Sequence, residues 1–200
     1  MANITLYHSP FTRSMTAYWM LEELDVPFNV VIKNVSKGEN NDAELTALNP
    51  HGKVPTVVVD DIVLFERPAI CTYLADRFSP GVLAPALDAP NRGEYLKWMV
   101  YSVTVMEDSM LANEAKLDVS PRHVGWGSYH TMVDVLDARL SASPFIAGDT
   151  FTAADVMLGS NLGWGLVTGL LERREVFTRY FDVISARDAF KRAEQATYPS

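Results

Sequence analysis

Lys53, Glu66 and Arg67, set around a prolyl turn, carry the chemistry that can be read most directly. Between them, Thr56–Val59 and Ile62–Phe65 are β-branched or aromatic runs split by Asp60-Asp61, which is the pattern of a hairpin. Pro55 stands before the first run, where a missing N–H costs no ladder bond, and a proline at such a turn is a candidate cis peptide. In that geometry the backbone N–H and C=O of Val54 face outward and can pair with an extended peptide as a short added strand. Pro68 falls where a helix N1 proline belongs. Glu66 and Arg67 therefore stand at a helix N-terminus, whose unpaired N–H groups and positive dipole end attract a carboxylate. A strand edge, a helix N-terminus, an acid and flanking cations suit a small zwitterionic peptide.

The elements that must position these residues follow from the pattern of the chain. Asn3–Tyr7 alternates as a strand and ends at His8-Ser9-Pro10. Residues 12–24 read as a helix with Met15, Tyr18, Trp19 and Leu24 apolar and Glu22 and Glu23 outside, stopped by Asp25-Val26-Pro27. Phe28–Lys33 is a second strand, so the start of the chain is a βαβ unit, parallel and right-handed. Asn34–Asn41 is polar and mobile-looking, and Ala43–Leu48 makes a turn or two of helix. After the hairpin and its helix, the prolines and glycine between Ser79 and Pro90 mark a linker.

Beyond the linker only helices are expected. Glu94–Lys116 carries the stripe Leu96, Met99, Val100, Val103, Met106, and Pro121–Leu140 carries Tyr129, Met132, Val133, Leu136, Leu140, with Gly125 and Gly127 weakening its first turns. Thr152 and Asp155 have the spacing of a capping box, and Phe151 and Val156 that of a hydrophobic staple. Gly159, Gly163, Gly165 and Gly169 in the helix that follows imply close packing, and Glu175–Ala196 supplies the last helix or helices.

Composition narrows the function classes. The 200 residues are 48% apolar, enough for a core, and the net charge of −8 argues against nucleic acid or an anionic membrane surface as partner. The only cysteine, Cys71, excludes a disulfide framework and sits among apolar neighbours as a small hydrophobe. His8, His51, His123 and His130 show no metal spacing. No apolar run approaches the ~20 residues of a membrane span, and the first residues lack a basic segment and an apolar core, so cytoplasmic residence is the expectation.

The run Gly52-Lys53-Val54-Pro55, followed by Glu66-Arg67 and then by A-I-x-x-Y-L-A at Ala69–Ala75, resembles the glutathione site of cytosolic glutathione transferases. F-x-A-A-D at Phe151–Asp155 resembles the N-capping motif of the same family's helical domain, so the likeness covers the whole chain. The resemblance implies an α/β plus all-α protein. A thioredoxin-like domain would span residues 1–79 and an all-helical domain residues 90–200, with 80–89 as linker. It implies glutathione as cosubstrate, a hydrophobic electrophilic small molecule as second substrate, and a homodimer with Phe65, Arg67 and the first helix of the helical domain near its interface. In this reading Val54 pairs its backbone with the cysteinyl unit beside Pro55. Glu66 accepts from the γ-glutamyl ammonium, Lys53 meets the glycyl carboxylate, and Arg67 replaces the usual serine at the γ-glutamyl carboxylate. Met106, Met110, Trp126 and Trp164 either line the electrophile pocket or belong to the core.

Glutathione brings its own nucleophile, so the protein's task is to lower a thiol pKa of ~8.5, each unit of depression needing ~1.4 kcal/mol. A hydroxyl donating to sulfur and the N–H groups of a helix start can supply this. The resemblance places that function in the loop His8-Ser9-Pro10-Phe11-Thr12-Arg13-Ser14, where the chain departs from its relatives. Counted from Pro27-Phe28, the position of the serine in theta- and zeta-like enzymes falls on Phe11, and the reactive cysteine of beta-like enzymes on Arg13. The loop itself is similar to S-P-x-x-R-S loops of bacterial transferases. Ser9 is the first candidate donor, Thr12 and Ser14 follow, and Tyr7 is conceivable. Ser14 is equally a helix cap and Ser9 a turn former. Arg13 can stabilise thiolate or an anionic electrophile. Other reactions with the same cosubstrate stay open (isomerisation, dehalogenation, reduction), as does a noncatalytic binding or interaction module.

Overall fold

A computed structural model describes residues 2–120 and 122–197. The chain divides into two compact units: Met1–Ser79 with the chain from Ala186 onward, and Pro80–Ser185. The expected helical domain of 90–200 thus gives up its last helix to the first unit.

In the first unit, β1 (Ile4–His8), β2 (Asn29–Ile32), β3 (Thr56–Val59) and β4 (Ile62–Leu64) form a mixed sheet in the order β2-β1-β3-β4. β1 and β2 run parallel, joined through α1 (Met15–Leu24), whereas β3 runs antiparallel to β1 and to β4. This is the thioredoxin-like βαβ–ββα layout, closed by α3 (Arg67–Phe78). The register pairs Tyr7 with Thr56 and Val57 with Leu64. The end of β1, the start of β3 and the end of β4 therefore lie at one end of the sheet. That end is where the loop after His8, the Val54-Pro55 turn and Glu66 must meet. Within Asn34–Asn41, polar in sequence, short 3-10 turns form at Val35–Lys37 and Glu39–Asn41 before α2 (Ala43–Leu48).

The charged end of α1 is not a solvent face. Arg187 grips Glu23 through paired bonds of 2.7 Å, Arg192 meets Glu22 at 2.5 Å, and Trp19 donates to Glu23 at 2.9 Å. Phe190 stands edge-on to Trp19 with centroids 4.9 Å apart. These contacts hold α9 (Asp188–Thr197) on α1. Fork-shaped guanidinium–carboxylate pairs with a desolvated partner are the stronger kind of surface ion pair; the Glu23 side chain is 4% exposed.

In the second unit, α4 (Arg92–Tyr101) and α5 (Asp108–Glu114) are joined by a wide π-helical turn at Ser102–Glu107. The Asn161 side chain donates to the Ser102 carbonyl there. The buried stripe is Tyr95, Trp98, Met99, Ser102 and Met106, while Leu96 and Val100 are exposed. The expected stripe was out of phase because Trp98 and Tyr95 bury more area than Leu96 and Val100 and so claim the inner face. Of the expected pocket residues, Met106 and Met110 are fully buried and serve the core. The next helix, α6 (Tyr129–Ala142), begins later than expected: Ser128 caps it, accepting from Thr131 N–H at 3.1 Å, and Gly127 at φ +71° lies outside right-handed helix geometry. The expected start at Pro121 falls outside the described residues.

At the centre runs α7 (Ala153–Thr168), buried on nearly every side and packed by α4 and by α8 (Glu175–Ser185). Its capping box is formed as the sequence implied, and Gly169 ends it at φ +77°. Gly165 is required by packing, because a Cβ there would stand 2.8 Å from Leu171 Cβ and 2.9 Å from Met110 Sδ.

Asp155 does more than cap. One carboxylate oxygen accepts from Ile146 N–H at 2.8 Å and Tyr180 O–H at 2.7 Å; the other accepts from Thr152 N–H at 2.8 Å and Thr152 O–H at 3.2 Å. Burial pushes this carboxyl above the usual range, against the pull of those donors. A cap alone is worth ~1 kcal/mol, but losing this carboxylate strands buried donors at ~1–3 kcal/mol each. Asp155→Ala is expected to lower the urea unfolding free energy by about 3 kcal/mol, and a loss below about 1 kcal/mol would show that the donors find other partners.

Candidate functional site

At the shared end of the sheet the Val54–Pro55 peptide is cis. Asn49, 2% exposed, fixes the turn that presents it. Its amide donates to Lys53 C=O at 3.1 Å and lies 3.1 Å from Thr56 Oγ1, its oxygen accepts from His51 N–H at 3.1 Å, and Thr56 O–H donates to Lys53 C=O at 2.9 Å. Asn40 donates to Gly52 C=O at 2.7 Å, and Gly52 at φ +57° is needed because a Cβ would lie 2.9 Å from the Asn40 carbonyl. With both ends pinned, Val54 is half-buried, and no other described residue engages its backbone N–H or C=O. Lys53 stands exposed beside it.

Glu66 closes β4 and caps α3. Its backbone is at φ +68°, ψ +114°, a region that side-chain-bearing residues rarely occupy. Such a conformation costs on the order of 1–3 kcal/mol and persists only where its surroundings enforce it. Here the hydrogen bond from Ile70 N–H to Glu66 C=O, at 3.0 Å, and Pro68 in the first turn hold it. The side chain is exposed and makes no hydrogen bond or ion pair to any described residue. Arg67 behaves differently: it is 7% exposed, and its Nη1 approaches Thr16 Oγ1 of α1 at 3.4 Å. Its guanidinium is packed under the helix start rather than held out beside Glu66.

The loop after β1 is organised by Ser14. This residue is fully buried, and its Oγ lies 2.8 Å from His8 Nδ1, 2.7 Å from Thr12 Oγ1 and 3.0 Å from Ser9 C=O. It also accepts from Ser9 N–H at 3.1 Å. Thr12 Oγ1 donates to Ser9 C=O at 2.7 Å and accepts from Ser14 N–H at 3.2 Å. Ser9 is 3% exposed and its hydroxyl accepts from Val35 N–H at 3.3 Å. Of the candidate hydroxyls, then, Ser9 and Ser14 are enclosed and Thr12 alone is partly open. Helix α1 starts at Met15, so Thr12 and Arg13 belong to the loop, and Arg13 is exposed. Phe11 is 70% exposed at φ +59°, and its N–H donates to Thr197 C=O at 3.3 Å.

Tyr7 is committed elsewhere. It is buried and donates to Glu44 at 2.9 Å, and burial together with that carboxylate raises its pKa. Lys33 meets Asp42 at 2.6 Å and Glu44 at 2.7 Å, so that cation is already neutralised. Cys71 is wholly buried, and desolvation pushes its thiol up to about 12, which removes it as a nucleophile. Among the described residues no cluster of His, Cys, Asp or Glu could hold a metal ion, and no helix is long and apolar enough to cross a membrane.

Sequence reasoning missed Asn49, Asn40 and His8. For Asn49 a signal existed: an asparagine opening N-P-x-G favours side-chain-to-backbone turn bonds. For His8 there was none, because its partner is defined only when the loop folds back on the end of β1.

Comparison with known proteins identifies the family and the fold. Residues 2–76 match the family model of the glutathione S-transferase N-terminal domain, and residues 83–190 that of the C-terminal domain. Glutathione S-transferase F10 of Arabidopsis thaliana is 27% identical, covering 94% of each chain. The crystal structure of a glutathione transferase from Methylococcus capsulatus superposes with a TM-score of 0.80 at 25% identity, covering 97% of this chain and 98% of that one. The glutathione transferase URE2P8 of Phanerochaete chrysosporium, solved with oxidized glutathione, shares the fold with a TM-score of 0.79 at 19% identity, covering 98% and 96%.

Burial pulls the His8 imidazole down to about 4, so it is neutral in the fold, and it stands edge-on to Tyr18 at 5.3 Å. The unfolded chain binds a proton near ~6.5 that the folded chain refuses. Stability is therefore full above pH ~6.5 and falls as pH drops toward ~4, by up to about 3 kcal/mol. Urea unfolding of wild type and His8→Phe at pH 7 and pH 4.5 checks this. The fall should be smaller in the variant, and equal falls would assign it to other groups.

Proposed function

This chain belongs to the glutathione S-transferase family, and on that premise we propose that it binds glutathione at the Val54–Glu66 end of the sheet and activates its thiol for attack on an electrophilic small molecule. The sulfur forms a new C–S bond, the leaving group departs with its electron pair, and the thiol proton goes to solvent.

The observation that carries this reading is Glu66. A strained backbone holds an exposed carboxylate, without a partner among the described residues, at the start of α3, at the same end of the sheet as the open backbone of Val54. Strain kept at an exposed position with no internal partner is the mark of a ligand clamp. Val54 pairs with the cysteinyl unit and Glu66 accepts from the γ-glutamyl ammonium. Lys53 meets the glycyl carboxylate, and the helix N-terminus with buried Arg67 beneath it supplies positive potential for the other one. Thr12 donates to the sulfur, since Ser9 and Ser14 are enclosed. Arg13 adds positive charge at the loop surface.

The second substrate is hydrophobic in this reading, and the family role is detoxification. The apolar side chains exposed on β4 (Ile62, Val63) and on α4 (Leu96, Val100) support a homodimer. Dependence on reduced glutathione and the lone buried cysteine favour the cytoplasm.

Titration of the bound glutathione thiol by ultraviolet difference absorbance tests the mechanism. Wild type should lower the thiol pKa by about a unit or more from ~8.5. Thr12→Ala should return it toward the free value, and Ser9→Ala should not. A rise with Ser9→Ala alone would move the donor to Ser9. Glu66→Gln should weaken glutathione binding by about 10-fold or more, the worth of a charge-assisted hydrogen bond; an unchanged Kd would remove Glu66 from the site.

A further inference from the structure

His8 is enclosed at the end of β1, and its ring nitrogens are unequal. Nδ1 lies 2.8 Å from Ser14 Oγ, whereas Nε2 is buried with no hydrogen-bond partner among the described residues. A neutral imidazole carries its proton on one nitrogen only. A buried N–H without an acceptor is rarer than a buried acceptor without a donor. The proton therefore belongs on Nδ1, with Nε2 as the bare acceptor, and His8 donates to Ser14.

Proton counting then fixes the rest. Ser14 Oγ accepts from His8 Nδ1–H and from Ser9 N–H, which uses both of its lone pairs. Its single proton goes to Thr12 Oγ1 at 2.7 Å, nearer than Ser9 C=O at 3.0 Å. Thr12 Oγ1, accepting from the Ser14 hydroxyl and from Ser14 N–H, has no lone pair left for a further donor. It can only donate. At rest its proton points to Ser9 C=O at 2.7 Å, and a sulfur that takes this proton competes with that carbonyl for it. The opposite tautomer reverses the chain. Ser14 would donate to His8, its oxygen would call for the Thr12 proton, and the open hydroxyl would be turned inward.

We propose that His8 is a positioning residue for thiol activation: by donating through Ser14 it keeps the Thr12 hydroxyl a donor toward the glutathione sulfur. This rests on the thiol-activation reading above. The neutral state that burial enforces on His8 agrees with it.

Nitrogen NMR of the histidine-labelled, unmodified protein reads the tautomer directly. A protonated Nδ1 is expected at His8, and a protonated Nε2 would overturn the proposal. In the glutathione thiol titration, His8→Phe should raise the bound thiol pKa by about half a unit or more with little change in glutathione Kd. His8→Asn, which keeps a donor near the Nδ1 position, should hold it close to wild type. Thr12→Ala with His8→Phe should shift the pKa no further than Thr12→Ala alone, because both changes break one chain of donors. A Thr12→Ala shift with none from His8→Phe would overturn the role of His8 and leave thiol activation standing. Glutathione bound by wild type with an unshifted thiol would remove both.

Discussion

The hydroxyl of Ser14 is the point on which the site depends. It ties the last residue of β1, the backbone of Ser9 and the side chain of Thr12 to the start of α1, all without reaching solvent. A loop at the end of a strand is ordinarily where a fold is least defined. Here Ser9, Thr12 and Ser14 bond to one another and to His8 Nδ1, so the loop's shape is set before a ligand arrives. The same economy holds at the facing turn, where Asn49 and Asn40 consume the backbone groups around Lys53 and Gly52 and leave those of Val54 open. Preorganisation of this kind lowers the ordering cost that binding must otherwise meet.

Charge follows the same logic at longer range. The chain is acidic, yet the peptide it is read to bind is itself anionic, so attraction must be local. Lys33 is held by Asp42 and Glu44, and Arg187 and Arg192 are spent on Glu23 and Glu22. Lys53 is left at the turn, and α3 adds the positive end of its dipole. The second unit relies on a buried carboxylate instead. Asp155 joins the loop at Ile146, the start of α7 and Tyr180 of α8. A group so placed is costly to bury and costlier to remove, which is why it defines that unit.

Local patterns were legible because their causes are local. The hairpin, Pro68 at the helix start, the capping box at Thr152–Asp155 and the parallel βαβ unit each rest on residues within a few positions of one another. The composition and the single cysteine also bounded the function directly. Around Pro55 and Glu66, spacing pointed to a strand edge and a helix start that suit a small zwitterionic peptide, and the resemblance to glutathione transferases put candidate residues to that peptide.

What only the tertiary structure decided depends on partners far apart in the chain. Glu22 and Glu23 read as solvent-facing until α9 returned to meet them. The stripe on α4 shifted phase because burial follows the largest side chains and not the periodicity alone. Arg67 turned under its helix toward Thr16, and burial separated the open Thr12 from the enclosed Ser9 and Ser14. Sequence specifies which hydroxyls and charges are available near the site. Which of them face solvent, and which are consumed inside, is set by long-range packing that no window of the chain contains.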